Sequence, residues 1–154
     1  MKSLPELIAY YVLIDQYLET EWRSASSAPL DQAKIEIRQR LNDHAYFLLC
    51  WGQIEVQLNE SCRDAIRKRR ANPDWTKRRG WDLYNPDEKR LSGLSFEDRV
   101  TLVLDKEAKS GEWKMVIKWY NLRNSIAHGG SYEQRIELSL VVSEFYQVQS
   151  AITT

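Results

Sequence analysis

Apolar residues recur in this chain at alternating steps of three and four, and no stretch alternates apolar with polar as a half-buried strand would. Leu138, Val141, Phe145, Val148 and Ile152 show the pattern most cleanly: the spacing lines one face of a helix with a continuous seam. The same periodicity predicts a first helix through Leu4, Leu7, Ile8, Tyr11, Ile14, Leu18 and Trp22, with Pro5 near its start. A small polar loop from Ser24 to Pro29 precedes a long helix expected from about Leu30 to Arg70. Leu41, Ala45, Leu48, Gly52 and Val56 form its apolar stripe. Asn72-Pro73 stops that helix. Residues 72–94 hold Pro73, Gly80, Pro86 and Gly93 and read as an extended loop with room for a helical turn.

Ser95 with Asp98 predicts a capped start to a fourth element reaching about Lys109, and Ser110-Gly111 breaks the chain there. A further helix is expected from about Glu112 to His128, stopped by Gly129-Gly130. Ser131 with Gln134 is expected to cap the last helix. The fold class is all-α: a bundle of four to five helices in a single domain over residues 1–154, with a basic loop between the long second helix and the C-terminal helices.

A length of 154 residues allows a substantial core, and 43% hydrophobic with 29% charged residues is ordinary for a globular chain. Cys50 and Cys62 are isolated, so reduced thiols and a cytoplasmic setting are expected. No apolar run approaches membrane-spanning length and no secretory leader pattern opens the sequence, so no membrane partner is expected. Two His and two Cys at unrelated spacings match no zinc pattern, and no Gly-rich phosphate loop or Ser-centred nucleophile motif occurs. Neither a metal nor a cofactor is expected.

The net charge of zero hides an asymmetry. Between Arg63 and Arg90 stand ten Lys/Arg against five Asp/Glu, a local charge of +5. Here Arg67, Arg69, Arg70, Lys77, Arg78 and Arg79 interleave with Trp75, Trp81 and Tyr84. Cations on phosphates and exposed aromatics on bases are the usual means of holding single-stranded nucleic acid, which makes these residues RNA-binding candidates. The alternative is a solvated helix end whose aromatics pin the loop to the bundle.

The helix ending at His128 carries the clearest candidate chemistry. At about 100° per residue, Trp113, Val116, Ile117, Tyr120 and Ala127 share one arc, with Trp119 and Ile126 widening it. Arg123, Asn124 and His128 lie on or beside that arc, where a plain amphipathic helix would be aliphatic. Arg123 and His128 are about 140° apart, so they meet on one phosphate only across a groove or where the helix ends. A guanidinium clamps phosphate with a planar fork, and an imidazole transfers protons near neutral pH. The alternative is an arginine paired with a buried carboxylate and a histidine capping terminal carbonyls.

Arg123-Asn124 followed by His128 late in a helix resembles the Arg-x4-6-His signature of the HEPN superfamily, in which Asn, Asp or His commonly follows the arginine. Ser95-Phe96-Glu97-Asp98-Arg99 opening a helix, then a helix ending Leu122-Arg123-Asn124-Ser125-Ile126-Ala127-His128-Gly129, is similar to the C-terminal half of many members. Phe47, Trp51 and Glu55 resemble the aromatic and Glu pattern of an earlier helix. The resemblance spans roughly residues 40 to 150. One branch, toxins paired with nucleotidyltransferase-like antitoxins, carries His-x-Tyr; here Gly130 holds the Tyr position and Tyr132 follows two residues later.

The resemblance implies a helical bundle that dimerises and brings two motifs together. It implies a metal-independent endoribonuclease in toxin–antitoxin, antiphage or RNA-processing systems, with RNA as substrate and an antitoxin or other defence protein as partner. Chemistry gives its own reason for a homodimer. Cleavage through the 2′-hydroxyl needs a base and an acid, and one chain offers only one histidine at this position. The seam of the last helix is a candidate contact. His44 and Glu55 share a face of the long helix with Leu48 and Trp51, and Glu55 either orients Arg123 or forms a structural ion pair. The rival functions are a catalytically inactive module that binds RNA or protein, and a bundle whose Arg and His only hold helices together.

Overall fold

The computed structural model describes residues 3–88, 91, 93–128 and 134–153. Among them are six α-helices: α1 (Leu4–Ser24), α2 (Pro29–Arg70), α3 (Trp75–Arg78), α4 (Phe96–Thr101), α5 (Glu112–Ala127) and α6 (Leu138–Thr153). A 3-10 turn covers Trp81–Leu83, and the described residues contain no strand. The chain is all-α, as the periodicity predicts. One helix more than expected arises inside the loop, where the Asp74 carboxylate accepts from the Thr76 amide at 2.9 Å and caps the single turn of α3.

Local chemistry sets the ends of the elements. The Ser3 amide donates to the Glu6 carboxylate at 2.7 Å at the start of α1. Ser95 and Asp98 cap α4 reciprocally, the Asp98 amide donating to the Ser95 hydroxyl at 3.1 Å and the Ser95 amide to the Asp98 carboxylate at 3.0 Å. These bonds, the Ser95 hydroxyl first, hold the Asp98 carboxyl below its ordinary range. α4 is shorter than expected and ends at Thr101. Further along, the Asp105 carboxylate accepts from the Glu107 amide at 2.9 Å, a local turn that competes with the helix. Gly111, at φ +79°, makes the reversal into α5.

Two compact units divide the chain: Met1–Gln53 with Tyr120–Ser143, and Ile54–Trp119 with Glu144–Thr154. In the first, α1 and the opening half of α2 form an antiparallel hairpin. The Tyr11 hydroxyl donates to Asp43 at 2.9 Å, the Gln39 amide to Glu19 at 3.3 Å and the Trp22 indole to Glu36 at 3.1 Å. Leu4, Leu7, Leu18, Ile35, Phe47, Cys50 and Trp51 are buried here. In the second unit Cys62, Ile66 and Leu91 form a buried cluster, with Trp81, Tyr84, Leu94, Leu102 and Val103 packed on it. Arg99 donates to Asn59 at 2.6 Å, and the Trp113 indole to the Thr101 hydroxyl at 3.0 Å.

Three sequence expectations need correction. The stripe Leu41, Ala45, Leu48, Gly52 and Val56 is not the buried face of α2; Leu41 and Val56 are exposed. The face that is buried carries Ile35, Gln39, Asp43, Phe47, Cys50, Trp51, Ile54 and Leu58. Its larger aromatic and branched side chains remove more apolar area from water. Second, α6 starts at Leu138, later than a cap at Ser131 and Gln134 would place it; Ser131 lies outside the described residues. The Ile136 amide is committed to Asp43 at 3.1 Å, which keeps the approach to α6 extended. Third, Leu138, Val141, Phe145 and Val148 of the α6 seam are buried within the chain, so the seam is not open to a second copy.

Candidate functional site

The last turn of α5 carries the motif. Arg123 and Asn124 are half-buried, and His128 is exposed where the helix ends. The backbone ladder runs to the motif's last residue, the His128 amide donating to the Asn124 carbonyl at 3.0 Å. Gly129 and Gly130 lie outside the described residues. Arg123 Nη1 donates to the Asn124 side-chain oxygen at 3.1 Å, and among the described residues no carboxylate forms an ion pair with this guanidinium. Upstream, the Tyr120 ring packs against Trp51 with centroids 6.2 Å apart, which seats α5 on α2 three residues before Arg123.

The two proposed supporting residues occupy α2. His44 belongs to the first unit, as do Arg123, Asn124 and His128; Glu55 belongs to the second. Both are half-buried.

The basic segment belongs to the second unit, and most of its cations are matched by acids. Arg67 bonds Asp64 at 2.9 Å and Asp87 at 2.8 Å; Arg70 lies 3.7 Å from Asp82 and donates to the Tyr84 carbonyl at 3.2 Å. Arg78 lies 3.5 Å from Asp82, and Lys77 3.8 Å from Asp74. Arg69 covers one face of Trp81 at 4.6 Å, and Trp81 packs on the Cys62 cluster. Trp81 therefore anchors the loop. Trp75 differs: it is 58% exposed, with Arg79 5.6 Å from its ring centroid. Of the aromatic candidates, Trp75 presents the ring most open to a base.

One cluster escaped the sequence reading. Fully buried Asp43 accepts from Arg135 Nε at 2.6 Å, from the Tyr11 hydroxyl and from the Ile136 amide, while Arg135 also reaches Asp15 at 2.6 Å. Burial, then the charge of Asp43, pushes the Tyr11 hydroxyl above its ordinary value, and the Asp43 bond pushes the Arg135 guanidinium up. The available signal was an Asp at helical spacing between Gln39 and Phe47 on an otherwise apolar arc. Among the described residues no three His, Cys, Asp or Glu side chains gather as a metal ion requires, and no helix is long and apolar enough to cross a membrane.

No protein-family model matches the chain, and comparison with curated proteins and with solved structures finds no match. The described elements define an all-helical protein, and its candidate chemistry stands at the α5 end.

Proposed function

We propose that the chain is a metal-independent endoribonuclease of HEPN type, acting as a homodimer in a toxin–antitoxin or antiphage system. Arg123 clamps the non-bridging oxygens of the scissile phosphate. His128 of one copy takes the 2′-hydroxyl proton as that oxygen attacks phosphorus, and the same residue of the second copy protonates the departing 5′-oxygen. The products are a 2′,3′-cyclic phosphate end and a 5′-hydroxyl end. Asn124 orients the guanidinium through the bond it accepts. The observation that carries the reading is that Arg123 has no carboxylate partner among the described residues, while His128 stands in solvent at the helix end. A guanidinium in a purely structural role would be expected to hold an acid.

A second reading, a module that binds RNA or protein without cutting, is favoured by the exposed Tyr10, Leu13 and Tyr17 of α1. Binding and cleavage of single-stranded RNA, measured side by side, separate the two. The nuclease reading expects His128→Ala to keep binding and lose cleavage. Binding with no cleavage by the unaltered protein establishes the second reading. In bacteria, growth arrest on expression should be relieved by His128→Ala.

A further inference from the structure

The cover of the Cys62 cluster is not closed. Trp81, Tyr84, Leu94 and Leu102 pack on that cluster and also wall a cavity of about 300 Å³, with Asp98 and Thr101 on its rim. All six belong to the second unit. Gly93, at φ +93°, adds only backbone to the rim.

The Trp81 and Tyr84 rings stand 6.3 Å apart and are inclined at 55°. A base held between two rings needs them parallel and about 7 Å apart, one contact distance on each side. Inclined rings instead make a notch: a rounded group touches both, and a flat base lies on only one. Electron-rich ring faces attract a cation within about 6 Å. Arg69, which is not among the cavity walls, already uses Trp81 in this way at 4.6 Å.

Among the described residues Asp98 is the only charged one on the wall. The Ser95 amide and hydroxyl both donate to its Oδ2, at 3.0 and 2.7 Å, and Oδ1 takes no hydrogen bond from a described residue. No described cation pairs with it, whereas Arg67, Arg70, Lys77 and Arg78 of the basic segment all hold acids. The Ser95 bonds keep this carboxyl ionised across the neutral range. One carboxylate cannot satisfy the three N–H donors of a primary ammonium. The Thr101 hydroxyl is already engaged, accepting from the Trp113 indole at 3.0 Å and donating to the Glu97 carbonyl at 2.8 Å. A fully methylated ammonium has no N–H to satisfy and spreads its charge over its methyl groups, which suits two rings and one acid.

We propose that this cavity binds a trimethylammonium group, the Trp81 and Tyr84 faces against its methyl groups and Asp98 balancing its charge. Choline and an Nζ-trimethylated lysine side chain share that head and are its two sources. The site is independent of the ribonuclease reading and shares no residue with Arg123, Asn124 or His128.

Titration calorimetry of the full chain with choline, and separately with a peptide carrying trimethyl-lysine, tests it. Neohexyl alcohol copies choline with carbon in place of nitrogen and should bind roughly 3- to 30-fold more weakly, as should the unmethylated peptide against its methylated form. That comparison needs no variant. Tyr84→Leu keeps an apolar cover on the cluster and should lower choline affinity by a similar factor, with a thermal melt to show that it folds. Tighter binding of choline than of the methylated peptide assigns a free small molecule, and the reverse a protein side chain; both uphold the site. No saturable binding of either cation, or neohexyl alcohol bound as tightly as choline, overturns the inference. If Tyr84→Leu loses RNA binding with choline affinity unchanged, the cavity holds a base and the inference falls as well.

Discussion

Arg135 Nε lies 2.6 Å from a carboxylate oxygen of Asp43, a residue with no exposed surface, across 92 positions of sequence. The contact ties the approach to α6 onto the middle of α2, and Tyr11 and Asp15 extend it to α1. It is the main polar lock of the first unit, and it explains why α6 starts where it does.

Removing the acid should hurt more than removing any one donor. Asp43→Ala leaves the Ile136 amide and Tyr11 hydroxyl without their acceptor and is expected to destabilise by about 2–4 kcal/mol. The figure sits below that for a fully enclosed pair because the Arg135 side chain is 43% exposed. Tyr11→Phe should cost only about 1 kcal/mol. Urea denaturation monitored by circular dichroism measures both, and equal losses would contradict the ranking.

The two faces of α2 should respond oppositely to truncation. Phe47→Ala empties a fully buried site and is expected to cost about 3–5 kcal/mol. Leu41→Ala, on the exposed face, should change monomer stability by no more than about 0.5 kcal/mol at concentrations where the chain is monomeric. A large Leu41 effect there would mean that the stripe packs within the chain.

Trp75 and Trp81 should separate binding from stability. Trp75→Ala is expected to weaken single-stranded RNA binding by about 1–3 kcal/mol and leave the melting temperature nearly unchanged. Trp81→Ala should lower stability by about 2–3 kcal/mol, because its ring covers the Cys62 and Leu91 cluster. Fluorescence titration with an oligonucleotide and thermal melts give the two readouts.

Burial pushes the Cys50 thiol up to about 11 and raises the Cys62 thiol as well. Both folded values lie above the ordinary thiol value, so the unfolded chain releases protons first as pH rises. The contribution of the two thiols to stability is therefore full below about pH 8.5 and declines from there toward pH 11. Cys50→Val should flatten that decline in a pH series of denaturation midpoints. An unchanged slope would remove Cys50 as its source. The depressed Asp98 carboxyl acts at the other end, its contribution being lost as pH falls below about 4.

Local patterning made much of this fold legible. The 3-4-3-4 seam of α6 is the buried one, and the Ser95–Asp98 pair caps α4 as its spacing predicts. α2 is where local pattern was insufficient. Its two faces are both apolar, and the buried one is interrupted by Gln39 and Asp43, whose partners come from α1 and from residues 135 and 136. No window of local sequence holds that information. The position of Arg123, Asn124 and His128 near the end of α5 follows from helical phase; Gly129 and Gly130, the expected stop, lie outside the described residues. Whether Arg123 held an acid depended on side chains far away in sequence, so spacing left it open.

Cleavage of a single-stranded RNA in the presence of excess chelator, with product ends identified by mass spectrometry, tests the central claim most directly. The account predicts 2′,3′-cyclic phosphate ends from the unaltered protein. It predicts none above background from His128→Ala, a variant that should fold with a stability change of no more than about 0.5 kcal/mol because the ring is exposed. Cleavage by His128→Ala at the unaltered rate, or linear 3′-phosphate ends formed without a cyclic precursor, would contradict it.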